Sequence, residues 1–114
     1  MGVDGADLER RREKRKKVKI TVLLKVGVLL SGRGIAKDIS EHGMCLMSPQ
    51  IFKSMSTVQS KDFAGAALRV MIPSEALTVN GVIVWADLKK GEGAIKIVST
   101  SDDGRWKEIC EGLN

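Results

Sequence analysis

Between Lys17 and Val26 the side chains alternate without a break. Val18, Ile20, Val22, Leu24 and Val26 share one face, and Lys17, Lys19, Thr21, Leu23 and Lys25 share the other. Period two with β-branched residues on the apolar face predicts a half-buried strand. Turn chemistry follows at Gly27 and again at Ser31-Gly32, and either can close the hairpin. Further strands are predicted from about Gly32 to Ile39, Met44 to Met47, Ala67 to Ile72, Leu77 to Ala86 and Glu92 to Val98. Pro73-Ser74-Glu75 and the polar stretch Asp87 to Gly91 supply turns between them. Pro49 to Gly65 lacks clean periodicity and reads as a loop with a short helix or strand inside it. The end changes period: Trp106, Ile109, Cys110 and Leu113 fall on one helical face, with Ser99 and Thr100 ahead of Asp102 and Asp103 as start signals. Six strands in a meandering order plus one packing helix predict a mainly β fold, a small antiparallel barrel closed or nearly closed.

The 114 residues suffice for one domain that buries roughly two-thirds of its unfolded surface. The longest apolar runs, Val18 to Leu30 and Ala76 to Ala86, are interrupted by Lys, Gly, Thr and Asn and fall short of a membrane span. Met1 to Glu9 has no apolar core of signal-peptide type, so a cytoplasmic location is expected. Cys45 and Cys110 form no C-x-x-C pair and are expected as ordinary thiols. Charge is unevenly spread. Residues 9 to 19 hold eight Lys or Arg against Glu9 and Glu13, while the whole chain is only +5. A nearly neutral body with a basic arm points to an anionic partner met by the arm.

Two short patterns sharpen that partner. Arg11 and Arg15 form R-x-x-x-R, the only register available, because Arg10 and Arg12 are followed four residues on by Lys14 and Lys16. Asp38-Ile39-Ser40-Glu41-His42-Gly43 then forms D-x-S-x-x-G about one strand pair later. Arg offers a planar fork for guanine O6 and N7 or for phosphate oxygens, and its plane can stack on a base. Asp38 can accept from guanine N1 and N2 or hold an arginine flat, and Ser40 can donate a hydroxyl. Gly43 marks positive φ or a close approach. Arg10 and Arg12 are further candidates for phosphate. The same residues also suit a solvated basic arm and a self-contained Asx-type turn.

The two motifs resemble the signature of the PilZ family, bacterial receptor domains for cyclic di-GMP. Gly81-Val82-Ile83-Val84-Trp85 and Gly93-Ala94-Ile95-Lys96-Ile97 are similar to the family's later strands. The resemblance implies a six-stranded antiparallel split barrel with a C-terminal helix packed on it. Residues 1–8 would be disordered, and 9–114 one domain: a ligand-binding arm at 9–17, the barrel at 18–98 and the helix at 100–113. It implies a cyclic di-GMP site built from Arg11, Arg15, Asp38, Ser40 and Gly43, with the signal passed to a protein partner by a monomer or weak homodimer.

No acid, base and nucleophile converge, so an enzyme is not expected. His42 lies too near Ser40 and Asp38 in one turn for triad geometry, and His42 with Cys45 lacks the further ligands of a zinc site. Trp85 and Trp106 are expected as core or cap packing, and Met44, Met47, Met55 and Met71 as core and rim. Two other readings stand beside the receptor. One is a small nucleic-acid-binding barrel with a basic tail, which the near-neutral body and scarce aromatics disfavour. The other is a PilZ-like adaptor that binds no ligand.

Overall fold

The alternation of the first strand is realised in β1 (Lys16–Val26), where Val22 and Leu24 are fully buried and Lys17, Lys19, Thr21 and Lys25 are exposed. The structure is a computed structural model that describes residues 15–28, 30–58 and 65–112. The stretch 1–8, the arm to residue 14 with Arg10, Arg11 and Arg12, and Leu113 of the predicted helix stripe lie outside the described residues. Gly27, at φ +64°, closes the first hairpin, while Ser31 and Gly32 belong to β2 (Leu30–Ile39). Only the residue that needs left-handed backbone marks the turn.

After β2 come β3 (Gly43–Met47), α1 (Pro49–Val58), β4 (Ala67–Ile72), a short 3-10 turn at Pro73–Glu75, β5 (Leu77–Asp87), β6 (Glu92–Thr100) and α2 (Asp103–Gly112). The barrel is closed and antiparallel in the order β1-β2-β3-β6-β5-β4. The closed six-stranded antiparallel barrel is the fold expected from the sequence, with β3 followed across the sheet by β6 rather than β4. Two three-stranded meanders are joined through α1 and sealed by the β3–β6 and β1–β4 pairings. The second seam is short, pairing Leu23, Leu24 and Lys25 with Met71, Val70 and Arg69.

The stretch that lacked periodicity holds α1. Pro49 occupies the first helical position, where its missing N–H costs nothing. Ser48 is the cap: its Oγ accepts from Ile51 N at 3.4 Å and donates to the Arg33 carbonyl at 2.6 Å. Ile51 and Phe52 are fully buried, plugging one end of the barrel. Phe52 reaches so far inward that a Cβ on Gly93 would stand 2.6 Å from its ring. At the C-terminus, Asp102 rather than Ser99 or Thr100 caps α2, accepting from Arg105 N at 3.0 Å. Trp106 and Ile109 bury the inner face of α2. Among the described residues no helix is long and apolar enough to cross a membrane.

Truncating the plug should leave a cavity that strand backbones cannot fill. Phe52→Ala is expected to cost about 3–5 kcal/mol of stability. Chemical denaturation followed by circular dichroism measures this, and a loss below about 1 kcal/mol would contradict the packing described.

Candidate functional site

The turn between β2 and β3 is tied down through its carbonyls. Ser40 N donates to the Gly43 carbonyl at 2.9 Å, and Ser40 Oγ donates to the same oxygen at 3.3 Å. Ile97 N donates to the His42 carbonyl at 2.8 Å, and Trp106 Nε1 donates to the Glu41 carbonyl at 3.0 Å. The turn is thus clamped by β6 on one side and α2 on another. Ser40 is fully buried, with its hydroxyl turned into the turn itself. Among the described residues the glycines at positive φ are Gly27, Gly65 and Gly91, so left-handed backbone is not the reason for Gly43. Close approach is. A Cβ at Gly43 would stand 3.3 Å from the Ile95 carbonyl oxygen and 3.8 Å from Arg15 Nη2.

Arg15 crosses the mouth of this turn and donates from Nη1 to Asp38 Oδ1 at 2.6 Å. Strict alternation would put Asp38 on the same face as buried Ala36. A bulge between Ala36 and Asp38 breaks the parity, so that Asp38 pairs with Cys45 and faces outward. A second bulge, between Ile83 and Trp85, does the same on β5. The register then aligns Lys17, Asp38, Cys45, Ala94 and Trp85 across β1, β2, β3, β6 and β5. Along this row lies an outer-face hollow of about 470 Å³, lined by Lys17, Lys19, Lys37, Asp38, Cys45 and Trp85 among others.

Trp85 is 46% exposed on the wall of the hollow, a correction to its expected place in the core. Trp106 packs in the core as read. Lys37 Nζ donates to Glu92 Oε2 at 2.8 Å along one edge. That hydrogen bond, and then the Glu92 charge, raise the Lys37 pKa and keep it cationic. Burial pushes the Cys45 thiol up, and the Asp38 carboxylate adds to this against the opposing pull of Arg15. Cys45 is therefore a neutral, half-buried part of the wall.

Of the residues singled out in the sequence, Arg15, Asp38, Ser40 and Gly43 come together at the β2–β3 turn, and Asp38 also lines the hollow, while Arg11, Arg10 and Arg12 lie outside the described residues. The contributions of Trp85, Cys45 and the Lys37–Glu92 pair were not legible, because bulges and register bring them to the hollow. The cations Arg15, Lys17, Lys19 and Lys37 outnumber the carboxylates Asp38 and Glu92. Such a surface suits a flat anion with both acceptors and donors on its edge.

The sequence pattern of the PilZ domain matches residues 9–107 of this chain. The structure is similar to the PilZ domain of CeSA from a cellulose-synthesizing bacterium. That likeness has a TM-score of 0.64 and 17% identity, and covers 88% of this chain and 97% of that one. It is also similar to the Bacillus subtilis inhibitor of motility MotI/DgrA, with a TM-score of 0.60 and 18% identity. There the match covers 89% of this chain and 49% of the other, so this chain spans about half of that protein. No curated protein matches the chain.

The clamp on the turn can be loosened without emptying the core. Trp106→Phe keeps most of the buried ring and removes the donor to Glu41, leaving a carbonyl to find water. A loss of about 1 kcal/mol in stability is expected, with faster amide exchange at residues 40–43. Unchanged exchange in that turn would contradict the clamp.

Proposed function

The chain belongs to the PilZ domain family, and from that premise we propose that its outer-face hollow is a receptor site for cyclic di-GMP. PilZ domains are in general cyclic di-GMP receptor or adaptor domains rather than enzymes. The observation that carries the reading for this chain is the Arg15–Asp38 pair, 2.6 Å apart beside the Gly43 turn. The pair occupies only part of the Arg15 fork. The other N–H groups of the fork would donate to a guanine edge or a phosphodiester oxygen when ligand is present. Asp38 keeps acceptor capacity for guanine N1 and N2. The hollow, at about 470 Å³, lies within the range of small-ligand sites. The exposed face of Trp85 offers a surface against which a base can stack.

The arm at residues 9–17 would close over the ligand, with Arg11 joining Arg15, and Arg10 and Arg12 neutralising phosphate charge. Ordering that arm costs conformational entropy, which charge-assisted contacts offset. Buried Ser40 would act from beneath, holding the turn in the shape the ligand meets. The signal would leave as a changed surface or oligomeric state read by a protein partner in the cytoplasm.

Isothermal titration tests the reading, with GTP and single-stranded DNA as controls. Cyclic di-GMP should bind, and Arg11→Ala and Arg15→Ala should each weaken it by about 1–3 kcal/mol with the barrel still folded. Arg15→Lys should recover only part of the loss, since an ammonium lacks the planar fork. Equal affinity in wild type and both alanine variants would rule these arginines out.

A further inference from the structure

Lys25 and Arg69 stand directly opposite one another across the β1–β4 seam, and both are exposed. Like charges in direct cross-strand register repel and lower stability. Nothing in their own row relieves this. Lys25 faces Ser31 on its other side, and Arg69 faces Asn80, which in turn faces Ser99. Arg69 Nε donates to Asn80 Oδ1 at 3.4 Å, a neutral dipole that does not cancel the charge. One step along the same face, Arg33 stands opposite Leu23, which is 37% exposed. Among the described residues no carboxylate pairs with Lys25, Arg33 or Arg69, whereas Arg105 is paired with both Glu75 and Glu108. Beside the cation pair runs a groove of about 290 Å³, lined by Lys25, Val28, Arg69, Asn80 and Gly81 among others. Val28 on its rim is 87% exposed. This groove shares no lining residue with the hollow beside Asp38.

Local rules broken without compensation inside the fold tend to mark sites completed by a partner. We propose that this groove docks an extended acidic and apolar segment of a partner protein. A carboxylate of the segment bridges Lys25 and Arg69, turning a repulsive pair into two charge-assisted contacts. A neighbouring apolar side chain covers Val28. A nucleic acid is the poorer occupant, because among the described residues that line the groove none is aromatic to stack on a base. A lipid surface is poorer too: the cations flank a concave groove sized for a side chain rather than ringing an apolar tip.

The test uses a fluorescein-labelled peptide of repeating Asp-Ser-Leu-Ser, which puts carboxylates and apolar side chains on one face when extended. A Lys and Leu peptide, single-stranded DNA and phosphatidylglycerol vesicles serve as alternatives. Wild type should bind the acidic peptide in preference to the other three. Lys25→Glu and Arg69→Glu should each weaken that binding about tenfold or more, and Val28→Ser by a smaller factor. All three should leave cyclic di-GMP affinity within about twofold of wild type. Lys25→Glu should also raise the thermal midpoint, because it replaces repulsion by a cross-strand ion pair with Arg69. Docking lost while stability rises is a signature that a merely structural role does not produce. Failure of wild type to bind the acidic peptide, binding that survives both charge reversals, a preference for DNA or vesicles, or a lowered midpoint in Lys25→Glu would each overturn the proposal. The two sites fail separately: loss of nucleotide binding with intact peptide docking would sink only the receptor reading.

Discussion

The ladder between β3 and β6 joins two three-stranded meanders into one barrel, running from Gly43 opposite Lys96 to Met47 opposite Glu92. Everything in the site depends on its register. It brings Cys45 beside Ala94, and so brings Asp38 of one meander into line with Trp85 of the other. It also sets β6 where Ile97 can hold the His42 carbonyl. A slip of one residue would exchange inner and outer faces, sending Cys45 inward and fully buried Leu46 outward. The fully buried side chains Met44, Leu46 and Ile95 on these strands oppose that slip through the area they remove from water.

Within this frame the Arg15–Asp38 pair organises more than it stabilises. Arg15 is 52% exposed, and pairs so open to water add little to folding stability. Their value lies in orientation. A guanidinium tethered by one carboxylate presents its remaining donors in a fixed plane, and the turn beneath is held through its carbonyls by Ser40, Ile97 and Trp106. The arrangement of these groups is thus fixed by the folded core itself.

Much of the fold was legible because period two is a strong signal where one face is buried and the other wet. β1 followed it residue by residue, and the stripe Trp106, Ile109 and Cys110 found α2. The misses have physical causes. α1 presents Ile51 and Phe52 to the barrel from a single short stretch, too brief to establish a period. The β3–β6 and β1–β4 seams join strands distant in sequence, which local pattern does not encode. Asp38 and Trp85 were the harder cases. Each follows a bulge, and a bulge reverses the face that alternation assigns. For Asp38 the motif context stood in for the missing geometry. Trp85 had only an apolar strand around it, and the core was the natural reading. Ser40 came out of the sequence as either a donor to the ligand or a turn-former, and in the structure its hydroxyl donates to the Gly43 carbonyl of its own turn.

Asp38→Ala puts the central claim under the most direct test. Removing a carboxylate beside an anionic ligand raises the local positive potential, so a site that only attracts charge would bind more tightly. A site in which Asp38 orients Arg15 and accepts from guanine would bind more weakly despite that gain. Titration of cyclic di-GMP and cyclic di-AMP into wild type and Asp38→Ala separates the two. The account predicts weaker cyclic di-GMP binding in the variant and a smaller preference over cyclic di-AMP, with the residual attraction falling steeply as salt is added. Tighter binding in Asp38→Ala, with wild type taking both dinucleotides equally, would contradict it and leave only a basic arm.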